Sequence, residues 1–304
     1  MSPSPELLQI VASEADRPLP FAVKEFVAAA KTRFGAGVAA VVFYGSCRRT
    51  DQPDGLYDLY VILDHYRDLP RFEAMLAELL PPNVYYLEVA TEAGARRAKC
   101  TVISRADFSR GVERWYHSYL WGRFCQPVSI AYTRHPEARA EVLDSLGRAV
   151  LTFIDETVCL QPETFDTRSL WVDGLRTSYQ TELRSEGPDR AAELFSANAD
   201  YYHAVTRAAG LVAAGQDRWR STQTPDQRSK ALRTWRTRGI SGKFQALARI
   251  LKAWVTFDGG FDYIIWKLER HSGRHIDVPE RVRRRPALHM WGFFWRLYRD
   301  GVFR

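Results

Sequence analysis

The first part of the chain alternates between helical and strand-like patterns of apolar residues. Apolar positions three and four apart predict helices over 5–14 and 20–33. The Gly-Ala-Gly run that follows ends the second helix, and a continuous apolar stretch then predicts a buried strand over Val38–Tyr44. A second strand is expected over 57–63. Two helices therefore precede the first two strands of a sheet.

Further strands are expected before the pattern becomes helical. A helix over 68–80 is stopped by Pro81-Pro82, short strands are expected over 84–89 and 99–104, and residues 130–132 fit an edge strand. From about residue 134 onward the helical period dominates. It predicts helices over 135–157, 168–184, 189–213, 242–255, 261–270 and 287–299.

This order of elements predicts the α+β class, with a small mixed sheet and flanking helices followed by a mostly helical C-terminal part. We expect a first domain over 1–133 and a second over 134–304. The polar stretch 213–230 is the expected loose linker.

Charge is distributed unevenly along the chain. The whole sequence has a net charge of +7, but residues 228–304 hold 18 basic and 6 acidic residues, against 25 and 30 in residues 1–227. A basic, aromatic-rich end is typical of proteins that bind phosphate-carrying partners, such as nucleotides, nucleic acid or anionic lipid. It is equally typical of a solvated basic surface. Segment 289–299 fits either an amphipathic helix at a membrane surface or a helix packed on the core.

Several function classes are excluded by missing motifs. The sequence has no P-loop, no GxSxG elbow and no HExxH helix, and its four cysteines form no CxxC pair. No apolar run is long enough to cross a bilayer, and the first residues lack the pattern of a signal peptide. These features predict a protein of the reducing cytoplasm.

The most informative pattern is a Gly45-Ser46 turn directly after the first predicted strand, followed by Asp58 on the next strand. Glycine lets a phosphate approach the backbone closely, and the serine hydroxyl adds a donor. Because residues alternate across a strand, Asp58, Tyr60 and Asp64 share one face. A magnesium ion would join this carboxylate to a triphosphate. Asp64 is either a supporting residue or the cap of the strand.

The turn and Asp58 resemble the nucleotidyltransferase superfamily related to polymerase beta, whose pattern is Gly-Ser and then Asp-x-Asp. Asp58 matches the first acid, whereas Tyr60 stands at the second. A narrower resemblance is to the mitochondrial translocator assembly and maintenance protein family, in which the single acid is expected. It rests on collinear segments at 44–46, 58–60, 99–104, 115–128, 178–184 and 241–260.

That resemblance implies a nucleotidyltransferase-like fold and a bacterial-type phosphatidate cytidylyltransferase of phospholipid biosynthesis. It would convert CTP and phosphatidate to CDP-diacylglycerol and pyrophosphate with Mg²⁺, at the inner face of the cell membrane, without nucleic acid. The implied catalytic and metal-binding residues are Asp58 and Glu182. The implied contacts to the nucleotide are Tyr44, Gly45, Ser46, Lys99 and Arg123, and those to the substrate phosphate or lipid are Arg184, Lys243, Arg249 and Lys252.

Two other hypotheses stay open. One keeps the nucleotidyltransferase fold but transfers to RNA, a small molecule or a protein hydroxyl, which needs a general base. The other is a non-catalytic protein that binds membrane or nucleic acid through its basic end. Separately from these hypotheses, Glu182 and Lys99 each also fit an ordinary surface residue.

Overall fold

The computed structural model describes residues 2–50, 55–91, 94–182, 189–256 and 276–284, with single positions between 289 and 299. The α+β class is confirmed. The central sheet contains the five strands β1 (Val38–Tyr44), β2 (Leu56–Leu63), β3 (Asn83–Thr91), β4 (Gly94–Ser104) and β5 (Ser129–Thr133). Their order is β3-β4-β2-β1-β5, with β2 and β4 parallel and the other pairs antiparallel, so the sheet is mixed.

Helices flank this sheet and make up most of the chain after it. In the first half they are α1 (Pro5–Ala15), α2 (Phe21–Phe34), α3 (Ser46–Thr50), α4 (Arg71–Leu79), α5 (Arg105–Glu113) and α6 (Trp121–Phe124). In the second half they are α7 (Pro136–Thr157), α8 (Thr167–Gln180), α9 (Arg190–Ala197), α10 (Ala199–Ala208), α11 (Pro225–Thr256) and α12 (Glu280–Arg284). Among these helices none is both long and apolar enough to cross a membrane.

The two faces of the sheet bury different cores because side chains alternate along each strand. On one face, Phe43 and Leu59 pack with the buried stripe of α2, which includes Phe26. On the other face, Tyr60 and Ile103 belong to a larger cluster that contains side chains of α6, α7 and α8. Residues on both sides of the expected domain boundary at 133/134 thus share one core, and the division into two domains stays a prediction.

The expected linker at 213–230 is wrong. A second, three-stranded sheet is formed there by β6 (Thr164–Asp166), β7 (Val212–Gly215) and β8 (Arg218–Arg220). Its centre is Trp219, which is buried and donates from its indole Nε1 to Thr167 Oγ1 at 2.9 Å. The polar composition of this segment gave no sign of a strand. A single buried indole is enough to hold β8 on the core.

Several predicted helix boundaries also need correction. The helix expected over 189–213 is broken at Asn198, whose backbone (φ −142°, ψ 35°) leaves the helical region. The helix expected over 168–184 ends at Gln180, and the one expected over 242–255 is the second half of the 32-residue α11. Segment 261–270 lies outside the described residues, as does most of 289–299.

Candidate functional site

A cavity of about 650 Å³ opens at the C-terminal end of β1 and the N-terminal end of β2, beside Lys99 of β4 and beneath α6, the end of α8 and α11. All of the residues expected to bind nucleotide or metal line it. These are Tyr44, Gly45, Ser46, Asp58, Lys99, Arg123 and Glu182, together with Arg249 from the group expected to bind substrate phosphate or lipid.

The floor of the cavity is the contact between Gly45 and Asp58. Tyr44, the last residue of β1, pairs with Asp58 of β2 in the antiparallel register. Gly45 follows with φ +88°, and a β-carbon there would overlap the Asp58 carboxylate oxygen Oδ2 and lie 3.1 Å from Asp58 Cβ. Glycine is therefore required both by the backbone conformation and by the close approach of the carboxylate. The turn and the acid meet as the sequence predicts.

Lys99 of β4 is the next residue in the row that Tyr44 and Asp58 form across the sheet. It pairs with Asp58 in the parallel register of β2 and β4, so its backbone lies one strand further from the Gly45 turn. Adjacent strands are about 5 Å apart. The order across the floor is therefore Tyr44, Asp58, Lys99, with the turn beside the first of them.

Arg123 is a largely buried cation that lines the cavity. Its Nη1 donates to the Tyr60 hydroxyl at 3.3 Å, and its Nη2 lies 3.7 Å from Glu182 Oε2. Burial acts to lower the pKa of Arg123, but the hydroxyls of Tyr60, Tyr44 and Tyr119 and the Glu182 carboxylate raise it well above its ordinary value. The guanidinium therefore stays charged inside the protein.

Tyr119 is a site residue that the sequence reasoning missed. Its ring centroid lies 4.5 Å from the guanidinium carbon of Arg123 and 4.2 Å from that of Arg249. Burial raises the pKa of Tyr119, but the positive charges of Arg123, Lys99 and Arg249 outweigh it and bring the value down to about 8. The pKa of Tyr44 is instead raised, by burial and then by the negative charge of Asp58.

His117 lines the same part of the cavity, and its buried Nδ1 has no hydrogen-bond partner in the described part of the chain. Burial lowers its pKa, and the charges of Arg249 and Arg238 lower it further. Tyr119 and His117 both belong to the aromatic segment 115–128, whose density of large side chains beside a Gly-Arg pair was the available signal.

The sequence predicts that Glu182 lies on a helix. In the structure it lies instead just after α8, at the junction of α8 and α11. It follows the end of α8, where Thr181 Oγ1 lies 2.9 Å from Ser118 Oγ, and Gly242 of α11 packs against the Thr181 carbonyl. The side chain is 14% exposed and paired with Arg123, so it is not a solvated surface acid. Arg184, expected nearby, lies outside the described residues.

Two lysines that were expected to face a headgroup do not line the cavity. Lys252 is buried and donates to three oxygens around the end of α4, namely Leu80 O, Pro82 O at 2.7 Å and Asn83 Oδ1 at 2.9 Å. Burial, and then the charge of Arg249, lowers its pKa to about 8. Lys252 thus ties α11 to the sheet. Lys243 is exposed on α11 and does not line the cavity.

Asp64 lies at the far end of β2 from the cavity. Its carboxylate accepts from Arg105 Nη1 at 3.0 Å and from Arg134 Nη2 at 2.6 Å. Burial acts to raise the pKa of Asp64, but these arginines lower it below its usual value. The sequence leaves Asp64 as either a supporting residue of the site or the cap of the strand, and its position fits the cap.

The carboxylates fit a magnesium ion that is shared with a nucleotide. Asp58 and Glu182 line one cavity, whereas the described ranges contain no group of three or more His, Cys, Asp or Glu side chains that would form a complete metal cage. Magnesium in nucleotide enzymes usually takes one or two carboxylates and completes its shell with phosphate oxygens and water.

No protein-family model matches the chain, and a search of curated proteins finds no significant match. The family resemblance of the motifs therefore stays a prediction.

Proposed function

We propose that the chain is a magnesium-dependent nucleotidyltransferase that transfers the cytidine monophosphate group of CTP to phosphatidate. The observation that carries the proposal is the contact of Asp58 with the Gly45-Ser46 turn at the floor of a cation-lined cavity. The choice of CTP and phosphatidate comes from the family resemblance, with which the cavity is compatible. The enzyme would act in the cytoplasm, at the membrane surface.

The chemistry is one displacement at the α-phosphorus of CTP. A phosphate oxygen of phosphatidate attacks, a new P–O bond forms, and the bond from the α-phosphorus to the bridging oxygen of the β-phosphate breaks. The electron pair of that bond leaves with pyrophosphate. Since the attacking oxygen is already ionised near neutral pH, no proton has to be removed. The protein therefore has to position the reactants and neutralise charge.

The residues divide these tasks. The Gly45 backbone and the Ser46 hydroxyl would hold the β- and γ-phosphates, and Arg123 would neutralise charge at the α-phosphate. Asp58, with Glu182, would hold the Mg²⁺ ion, which supplies further charge neutralisation when it is bound. Tyr60 and Tyr119 keep Arg123 in place through the hydroxyl and ring contacts described above.

A lipid acceptor is favoured by two features. A hydroxyl acceptor needs a general base. Asp58 would hold Mg²⁺ and Glu182 is paired with Arg123, so neither carboxylate serves as that base. In addition, α4 exposes an apolar strip of Phe72, Met75 and Leu79, at 54%, 53% and 79% exposure. An amphipathic helix of this kind suits the boundary between headgroups and acyl chains.

The strip also ends beside the cavity. Two residues after α4, the Pro81 carbonyl accepts from Arg249 Nε at 3.3 Å, and Arg249 lines the cavity. A bilayer that receives the strip would therefore present its phosphate headgroups close to the cations of the site.

The test is turnover of radiolabelled CTP with phosphatidate vesicles and Mg²⁺, with mass spectrometry of the lipid product. We expect CDP-diacylglycerol from the wild type and a loss of about a hundredfold or more in Asp58→Asn. Asp64→Asn is the matched control, because it removes a carboxylate that directly follows the same strand and lies outside the cavity. Full lipid-dependent turnover in Asp58→Asn, or no magnesium-dependent CTP binding by the wild type, would refute the proposal.

A further inference from the structure

An excess of positive charge gathers around the Tyr119 ring. Arg123 and Arg249 both lie within 4.5 Å of its centroid, and the charge of Lys99 acts on the same phenol. These cations come from three separate elements, α6, α11 and β4, so the fold rather than the local sequence brings them together.

This charge is only partly neutralised by the protein. Arg249 donates to the Pro81 carbonyl and to Gln245 Oε1 at 3.4 Å, and neither acceptor carries a charge. Neither Lys99 nor Arg249 forms an ion pair with a carboxylate in the described ranges, and the carboxylate nearest to Arg123, that of Glu182, lies at 3.7 Å. A half-buried group of like charges is unfavourable until an anion binds to it.

The position of this charge relative to Asp58 indicates which anion it takes. Across the floor of the cavity the Gly45 turn lies on one side of Asp58, and Lys99 lies on the other. In phosphoryl and nucleotidyl transfer the attacking and leaving oxygens lie roughly in line through the reacting phosphorus. If the turn holds the leaving pyrophosphate and Asp58 marks the reacting centre, the attacking group has to lie on the side of Lys99.

We propose that Lys99 and Arg249, held around the ring of Tyr119, form a phosphate-monoester site that binds the attacking phosphate of the acceptor. Tyr119 is the positioning residue, because its ring contacts the guanidinium groups of Arg249 and Arg123. His117, whose Nδ1 is free of partners in the described residues, lines this side as a further hydrogen-bonding group. The inference depends on the proposed function and reassigns Lys99 from the nucleotide to the acceptor.

The experiment measures two affinities separately. Binding of glycerol 3-phosphate, a soluble phosphate monoester, is measured by calorimetry without CTP, and CTP binding is measured with Mg²⁺ in the absence of acceptor. Arg249→Gln should weaken glycerol 3-phosphate binding by about tenfold or more, the usual effect of losing a charged hydrogen-bond donor, and leave CTP affinity within about twofold. Arg236→Gln is the matched control, since it removes an exposed arginine from the same helix.

The role of Tyr119 is tested by two substitutions. Tyr119→Phe keeps the ring and should retain most of the monoester affinity, whereas Tyr119→Leu should lose about as much as Arg249→Gln. In turnover assays Tyr119→Leu should raise the KM for phosphatidate more than that for CTP. Equal losses in Tyr119→Phe and Tyr119→Leu would refute positioning by the ring.

Other outcomes separate this inference from the proposed function. If Arg249→Gln weakens CTP binding as much as monoester binding, the cations serve the nucleotide and the inference is wrong, although the enzyme remains. If phosphatidate vesicles fail to displace glycerol 3-phosphate, the site takes a soluble phosphate and the lipid assignment is overturned. Displacement by vesicles, with the same sensitivity to Arg249→Gln, supports the inference.

Discussion

The packing of α11 on the end of α8 depends on one glycine. A β-carbon on Gly242 would overlap the carbonyl oxygen of Thr181 and come within 3.3 Å of its carbonyl carbon. The obstacle is backbone, which cannot rotate away as a side chain can. The substitution Gly242→Ala should therefore push α11 away from the segment that carries Glu182.

A matched substitution on the same helix isolates the cost of this overlap. A β-carbon on Gly239 meets nothing within 4 Å, so Gly239→Ala should stabilise the protein by about 0.5–1 kcal/mol through helix propensity alone. Gly242→Ala gains the same propensity but introduces overpacking, which costs about 1–3 kcal/mol. Because propensity cancels between the two variants, their difference in unfolding free energy should be about 1–3 kcal/mol.

Thermal unfolding followed by circular dichroism measures this difference. At about 2–4 °C per kcal/mol for a chain of this size, Gly242→Ala should unfold several degrees below Gly239→Ala. The displaced helix carries Arg249, so Gly242→Ala should also weaken glycerol 3-phosphate binding, while Gly239→Ala should not. Equal melting temperatures would show that α11 does not pack on Thr181 as described.

Two further predictions concern groups with perturbed environments. Absorbance titration in the near ultraviolet should show one tyrosine ionising near pH 8, before the ordinary tyrosines near 10, and Tyr119→Phe should remove that step. Since the folded-state pKa of Tyr119 is below its unfolded value, the unfolding free energy of the wild type should rise relative to Tyr119→Phe between pH 8 and pH 10, and a flat difference would contradict the assignment. Lys252→Met should cost about 2–3 kcal/mol, because it leaves two buried oxygens and one partly buried oxygen without their donor, and a melting temperature equal to that of the exposed-site control Lys243→Met would contradict this role.

The floor of the cavity could be predicted from the sequence because its residues lie close together along the chain. Gly45 directly follows β1 and Asp58 lies on β2, the next strand along the chain, and strand alternation alone determines the face on which Asp58 lies. The same alternation groups Tyr60 with Asp58 and opposes both to Leu59. The two buried clusters confirm that Tyr60 and Leu59 lie on opposite faces.

The walls of the cavity could not be predicted from the sequence in this way. Tyr119, Arg249 and Glu182 meet only because α6, α8 and α11 pack together, and no periodic pattern specifies that packing. Lys252 shows the limit most clearly. In the sequence it is one more cation of a basic segment, and only its three oxygen acceptors show that it is a structural residue. A count of charges cannot separate these two roles.

The same dependence on packing decides how mutants of this site have to be interpreted. Arg238, fully buried in α11, pairs with Glu156 of α7 at 2.9 Å and stacks on the ring of Trp121. The Glu156 side chain is 35% exposed, so losing Arg238 should cost less than the roughly 3–5 kcal/mol of a fully buried pair, but it would also release the helix that holds Arg249. A loss of phosphate binding in a variant of α11 therefore indicates direct contact only if the melting temperature and CTP affinity are unchanged. Arg249→Gln can meet that condition, because its side chain lines the cavity without pairing to any acid in the described ranges, whereas a variant of Arg238 cannot.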